Sequence, residues 1–269
     1  MRKTVLHYEE TGQPDSPVIF FLHGFMGQAG AFRIIMESLA ESFRCISVDL
    51  PGHGVSLFGS NNRLNKLRGM EDTAFVILQD LDALEISRFT LYGYSMGGRI
   101  AQHVALAAPD RTDRLILESA SFGIADEGER AERRQRDQAL LADIKTPEEF
   151  RVFLTNWYSL PLFQTLPGTI HLQNLIKEKI NHPLAEYRRS LNLLSVGGHS
   201  FLAEQLAECH IPIFYFCGEE DVAYLQTAGQ IKTLLPDMTI RIFKNASHNI
   251  HVQYPQEISR AIREILDVG

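Results

Sequence analysis

Short apolar runs rich in Val, Ile, Phe and Tyr recur along this chain, separated by stretches of helical periodicity, and that alternation limits the fold more than any other feature. The runs are Val18 to Leu22, Arg44 to Val48, Phe89 to Tyr92, Leu115 to Leu117, Ile213 to Cys217 and Thr239 to Phe243. Helical stretches follow at Ala31 to Ala40, Asp72 to Leu84, Gly97 to Ala107, Ala223 to Leu234 and Gln256 to Leu266. Strands that alternate with helices pair side by side, which predicts an α/β fold with a mostly parallel sheet flanked by helices. Thr4 to Tyr8 is expected to add an antiparallel edge.

The rhythm lapses once. Over residues 121–200 no strand pattern appears, and the text turns helical and charged, beginning at Glu127-Gly128-Glu129-Arg130-Ala131-Glu132-Arg133-Arg134. With 269 residues, the chain exceeds the usual ~150 of one domain without reaching two. We therefore expect a core domain from residues 1–120 and 201–269 carrying an inserted helical cap over 121–200. Inside the cap, Thr146-Pro147-Glu148-Glu149 has the threonine, proline and glutamate of a capping box. Phe150, Phe153, Leu154 and Trp157 then form one apolar stripe, which should face the core domain or a cavity between the two.

Composition excludes several classes. Lys+Arg 26 against Asp+Glu 33 gives a net charge of −7, whose field repels phosphate backbones and argues against a nucleic-acid binder. No segment approaches the ~18 to 20 apolar residues of a membrane helix. Cys45, Cys209 and Cys217 have no C-x-x-C spacing and read as reduced core thiols. The basic start reaches Glu9 and Glu10 before any signal-like run develops, so a cytoplasmic protein is expected.

The chemistry is concentrated at Gly93-Tyr94-Ser95-Met96-Gly97, a G-x-S-x-G sequence between an expected strand and an expected helix. Its glycines permit the sharp turn that exposes a serine hydroxyl beside a helix N-terminus. Serine needs a base and an orienting acid to react. Asp221 follows the next-to-last strand and His248 the last, in the order serine, acid, histidine expected of this arrangement. Glu118, Glu219 and Glu220 compete for the acid and His251 for the base. His248 and His251 form H-x-x-H, but no third ligand cluster accompanies them, so no metal is expected. In His23-Gly24-Phe25-Met26-Gly27, after the Val18 to Leu22 strand, the backbone N–H of Phe25 should join that of Met96 as an oxyanion hole. A dinucleotide fingerprint fails because serine stands where its second glycine belongs. Asp49-Leu50-Pro51-Gly52-His53-Gly54 reads as a strand-ending turn.

Taken together, Leu22-His23-Gly24-Phe25, the Asp49 to Gly54 turn, the serine elbow, Gly218 to Asp221 and His248 resemble the α/β-hydrolase family along nearly the whole chain. A finer pattern is similar to the 2-succinyl-6-hydroxy-2,4-cyclohexadiene-1-carboxylate synthases of menaquinone and phylloquinone biosynthesis. It consists of Gly93 to Arg99, Arg130-Ala131-Glu132-Arg133, Asn156-Trp157-Tyr158 and a basic residue near Lys179. The resemblance implies a lyase that eliminates pyruvate from an enolpyruvyl substrate carrying three carboxylates, with no metal or organic cofactor. It implies that Arg99, Arg133 and Lys179 hold those carboxylates, with Tyr94 and Trp157 lining the cavity, and that the partner is this small anion, met by a monomer or small homo-oligomer. Arg130 and Arg134 compete with Arg133 for register, and Trp157 is equally suited to anchoring the core. The sequence departs from the family at Lys179, where arginine is usual, and at Ser247, where glycine is. The alternative reading is a serine hydrolase acting on a small ester, thioester or carbon–carbon bond through the same triad.

Overall fold

A computed structural model of the chain describes residues 4–163 and 170–266. Its sheet comprises β1 (Tyr8–Thr11), β2 (Val18–Leu22), β3 (Arg44–Val48), β4 (Phe89–Tyr94), β5 (Thr112–Glu118), β6 (Ile213–Gly218) and β7 (Thr239–Phe243), in the spatial order β1-β3-β2-β4-β5-β6-β7. All neighbours are parallel except β1, which runs antiparallel to β3. Helices α1 (Arg33–Leu39), α2 (Met70–Ala83) and α3 (Met96–Ala107) connect the first strands. Between β5 and β6 lie α4 (Glu127–Ala139), α5 (Pro147–Tyr158), α6 (Ile170–Lys179), α7 (Leu184–Leu193) and α8 (Ala203–Glu208). The chain closes with α9 (Val222–Lys232), α10 (Ile250–Gln253) and α11 (Pro255–Leu266).

Side-chain alternation explains the layering. On β2, Phe20 and Leu22 join one apolar layer with α2 and α3, while Ile19 and Phe21 join the other with α1 and α11. A third apolar cluster, containing Leu141, Phe150, Leu154, Tyr158 and Tyr187, lies among α5, α7 and their neighbours and reaches the sheet domain through Met26. The Thr146 hydroxyl accepts from Glu149 N–H, and the Glu149 carboxylate accepts from Thr146 N–H, so α5 starts with a complete capping box.

The edge strand departs from expectation. It begins at Tyr8, where the expected strand ended, because the Asp80 carboxylate on α2 captures the N–H groups of Val5 and Leu6 at 2.8 and 2.9 Å. A backbone donor committed to a side chain cannot enter a ladder. Cys45 and Cys217 are buried, but Cys209 is only half-buried and its thiol donates to the Gln205 carbonyl. Among the described residues no helix is long and apolar enough to cross a membrane.

Candidate active site

The strand order reverses between β2 and β4, which leaves a crevice at their carboxyl ends. Leu22 pairs with Gly93, so the loops after the two strands depart at the same level. Ser95 is the pivot between β4 and α3, with φ 50° and ψ −109°. That left-handed conformation is costly for a side-chain-bearing residue and is held by its surroundings. Glycine is obligatory beside it: a Cβ on Gly97 would stand 2.1 Å from the Leu22 carbonyl oxygen, and one on Gly93 2.5 Å from the Gly98 Cα.

Ser95, His248 and Asp221 are joined end to end. The Ser95 hydroxyl faces His248 Nε2 at 3.1 Å, and His248 Nδ1 donates to Asp221 Oδ2 at 2.8 Å. Ser119, which the sequence did not single out, donates its hydroxyl to the same Asp221 oxygen at 2.9 Å. The histidine backbone N–H donates to the Leu162 carbonyl at 3.1 Å, tying the base to the segment between β5 and β6. The competing residues are otherwise engaged. His251 donates its backbone N–H and Nδ1 to Glu118, whose second oxygen accepts the Tyr92 hydroxyl at 2.6 Å. Glu219 accepts the Asn245 N–H.

Both expected oxyanion donors flank the serine. Met96 opens α3, where an N–H has no intrahelical acceptor. In the facing loop, Gly27 N–H donates to the Gly24 carbonyl and Met26 N–H to His53 Nε2, while Phe25 N–H has no bond to another described residue. The Asp49 to Gly54 stretch therefore does more than end a strand. His53 holds Met26, and His23 Nε2 accepts the Leu50 N–H at 3.0 Å. A backbone N–H only donates, so each Nε2 is unprotonated and each ring neutral. Burial keeps them so, lowering His23 to about 4 and pushing His53 well below the usual histidine range.

A cavity of about 340 Å³ opens over this edge. Ser95, His248, Phe25 and Met96 line it, and so do Tyr94, Arg99, Arg133, Trp157 and Lys179; Asp221 stands behind His248. Arg99, on the first turn of α3, donates Nη2 to the Leu194 carbonyl at 2.9 Å, while its buried Nε has no partner among the described residues. Burial lowers it to about 10, with Arg133 as a further contributor, which still leaves a cation at neutral pH. Arg133 bonds Asp137 at 2.8 Å. Arg130 and Arg134 turn away, to the Ile124 and Gly197 carbonyls and to Glu127. Lys179 Nζ lies 3.2 Å from Glu178 Oε1.

Tyr94 donates to Asn249 Oδ1 at 2.7 Å and packs its ring against His248 and His251. Trp157 serves both readings made of it, lining the cavity while stacking on Phe153 and meeting Phe163. Asp137, Glu178, Asn249 and Tyr224 also line the cavity, Tyr224 with its ring 4.7 Å from that of His248. No spacing rule finds these four, because each is placed by tertiary packing.

Such a site can abstract a proton through a serine–histidine pair, stabilise negative charge on an oxygen beside Ser95, and hold an anion under three cations. The family description "alpha/beta hydrolase fold" matches residues 17–255. The 2-succinyl-6-hydroxy-2,4-cyclohexadiene-1-carboxylate synthase of Serratia proteamaculans (strain 568) is 30% identical over 258 residues, covering 96% of each chain. The Salmonella heidelberg (strain SL476) protein of that name is 30% identical over 261 residues, 95% of this chain and 96% of its own. The solved structure of MenH from S. aureus superposes with a TM-score of 0.86 at 28% identity, covering 97% of this chain and 98% of that one. The chain thus belongs to the α/β-hydrolase fold family and, within it, to the family of the 2-succinyl-6-hydroxy-2,4-cyclohexadiene-1-carboxylate synthases.

Proposed function

We propose that this chain is a carbon–oxygen lyase of menaquinone or phylloquinone biosynthesis. It converts 2-succinyl-5-enolpyruvyl-6-hydroxy-3-cyclohexene-1-carboxylate to 2-succinyl-6-hydroxy-2,4-cyclohexadiene-1-carboxylate and pyruvate. The observation that carries this reading is that Arg99, Arg133 and Lys179 line the same cavity as the Ser95–His248 pair. Three cations over a proton-abstracting device suit a small tricarboxylate far better than a neutral ester.

In this reading the Ser95 hydroxyl gives its proton to His248 Nε2, and the resulting alkoxide removes a proton from the substrate ring. The C–H electron pair at C2 becomes the C2=C3 double bond, the existing C3=C4 pair shifts to C4=C5, the bond from C5 to the enolpyruvyl oxygen breaks, and pyruvate leaves as its enolate. The proton on His248 is available to that leaving group, and because the Ser95 oxygen takes a proton rather than attacking a carbonyl carbon, no acyl-enzyme forms. Asp221 holds the imidazole by its Nδ1 and stabilises the cation. Phe25 and Met96 N–H groups would bind the oxygen on which enolate charge develops. Residues 121–200 act as a cap that closes water out and brings Arg133, Trp157 and Lys179 over the serine. A cytoplasmic monomer or small homo-oligomer suits this role.

The test is to supply the enolpyruvyl substrate to purified protein and follow pyruvate. Release faster than the spontaneous reaction supports the lyase. Turnover of simple esters with a pre-steady-state burst, indifferent to Arg99→Ala, would replace it with a serine hydrolase.

A further inference from the structure

The anion-binding cavity contains two carboxylates of its own, and they are held differently. Asp137 is buried, accepts Arg133 Nε through Oδ1 at 2.8 Å, and accepts the Ser195 hydroxyl through Oδ2 at 2.6 Å. Both oxygens are engaged, so Asp137 is fixed and fixes Arg133. Among the described residues Glu178 has one hydrogen-bonded contact, Oε1 to Lys179 Nζ at 3.2 Å, and its side chain is 41% exposed while that of Lys179 is 4% exposed. The cation is enclosed and the carboxylate is free to swing toward water.

We propose that Glu178 is a displaceable internal counter-ion: it occupies Lys179 in the empty enzyme and yields that place to one carboxylate of the incoming substrate. Among the described lining residues, three cations face two carboxylates, which leaves one net positive charge for a trianion. With Glu178 swung outward the same cavity offers two. The Tyr158 hydroxyl also hydrogen-bonds Lys179, so the enclosed ammonium keeps one neutral partner when Glu178 leaves, and Glu178 supplies its counter-charge between turnovers. It also makes Lys179 selective. An anion that reaches only Arg99 and Arg133 leaves the Lys179–Glu178 pair intact, whereas one long enough to reach all three cations replaces it. Glu178 therefore sets a threshold in carboxylate number, and its return to Lys179 assists the departure of the products. This goes beyond the family assignment but rests on the proposed use of Lys179 as a substrate ligand.

The experiment measures kcat and KM for pyruvate release from the enolpyruvyl substrate in wild type, Glu178→Gln, Lys179→Met and the double variant. Glu178→Gln is expected to lower KM about 3- to 5-fold, the scale of a half-exposed ion pair, while kcat moves less than about two-fold. In the Lys179→Met background the same substitution should have no effect, since the pair it relieves is gone. The inhibition constant for citrate, a tricarboxylate probe, should fall alongside KM. Glu178→Ser serves as a second variant, and a melting curve reports folding. An unchanged or raised KM in folded Glu178→Gln and Glu178→Ser overturns the proposal. So does an equal fall in KM in the Lys179→Met background, which would mark a diffuse charge effect. Absence of lyase turnover in wild type would instead refute the functional reading, and an unchanged KM in Lys179→Met would refute the assignment of Lys179, so each failure is distinct.

Discussion

The sheet edge and the helical segment over it build their parts of the site in opposite ways. At the edge, Ser95, His248, Asp221 and Ser119 bond one another, and the buried neutral histidines His23 and His53 pin the loop that carries Phe25. Every position there is set by a strand end, and Glu118, at the end of β5, holds His251 in the same manner. The helical segment brings two long cations to the cavity among aromatic and aliphatic side chains, and each is held by a carboxylate from its own helix, Arg133 by Asp137 and Lys179 by Glu178. In the proposed function, reactivity is built on the sheet layer, where sub-ångström placement matters, and recognition on helices that carry one fixed ion pair, Arg133–Asp137, and one displaceable pair, Lys179–Glu178.

This contrast can be broken at its strongest point first. Ser95→Ala should lower kcat by about 10³-fold or more with little change in KM, because the hydroxyl contributes to proton abstraction and hardly to binding; steady-state pyruvate release measures both. Phe150→Ala removes a buried anchor of the third apolar cluster and should cost about 3 to 5 kcal/mol, read by denaturant unfolding. If the helical segment is the softer layer, near-ultraviolet ellipticity of the aromatic cluster should melt before the far-ultraviolet signal of the sheet domain. Coincident melting would make the two layers one cooperative unit.

Arg99 spans the comparison, since it rises from α3 of the sheet layer and donates to Leu194 after α7. Arg99→Ala should cut kcat/KM by about 10²-fold through loss of a buried charge-assisted contact, and most of that loss should appear in KM. The smallest expected effect on activity, none at neutral pH, belongs to a test of stability against pH. Folded His23 titrates at about 4, His103 at about 4 and His199 at about 3, all lowered mainly by burial, whereas the unfolded chain protonates them near 6.5. Below that pH the unfolded state takes up protons that the folded state refuses, so stability falls as pH drops from about 6.5 toward 4. Each group contributes at most about 1.4 kcal/mol per pH unit. His103→Gln should flatten that slope without altering activity at neutral pH.

The same division explains what could be read from the sequence. Strands β2, β3 and β7 stand where their apolar runs predict them, and the serine elbow announces itself because a sharp strand-to-helix turn requires glycine. Edges are harder to read: Asp80, far along the chain, captured the N–H groups of Val5 and Leu6 and moved β1. In the charged run from Glu127 to Asp137, Arg130, Arg133 and Arg134 carry no periodic mark. Only packing against residues 194–198 turns Arg134 toward the Gly197 carbonyl and leaves Arg133 at the cavity. Asp137, Glu178 and Tyr224 were invisible for the same reason, since counter-ions and ring contacts are settled by tertiary structure.

The central claim is that a triad on the sheet edge acts on a tricarboxylate gripped from the helical layer. A crystal structure of Ser95→Ala with the enolpyruvyl substrate tests it most directly. The account predicts the three carboxylates on Arg99, Arg133 and Lys179, Glu178 swung away, and a ring C–H directed at the vacated serine position. A substrate bound with its carboxylates toward solvent, or with its ring turned from residue 95, would contradict it.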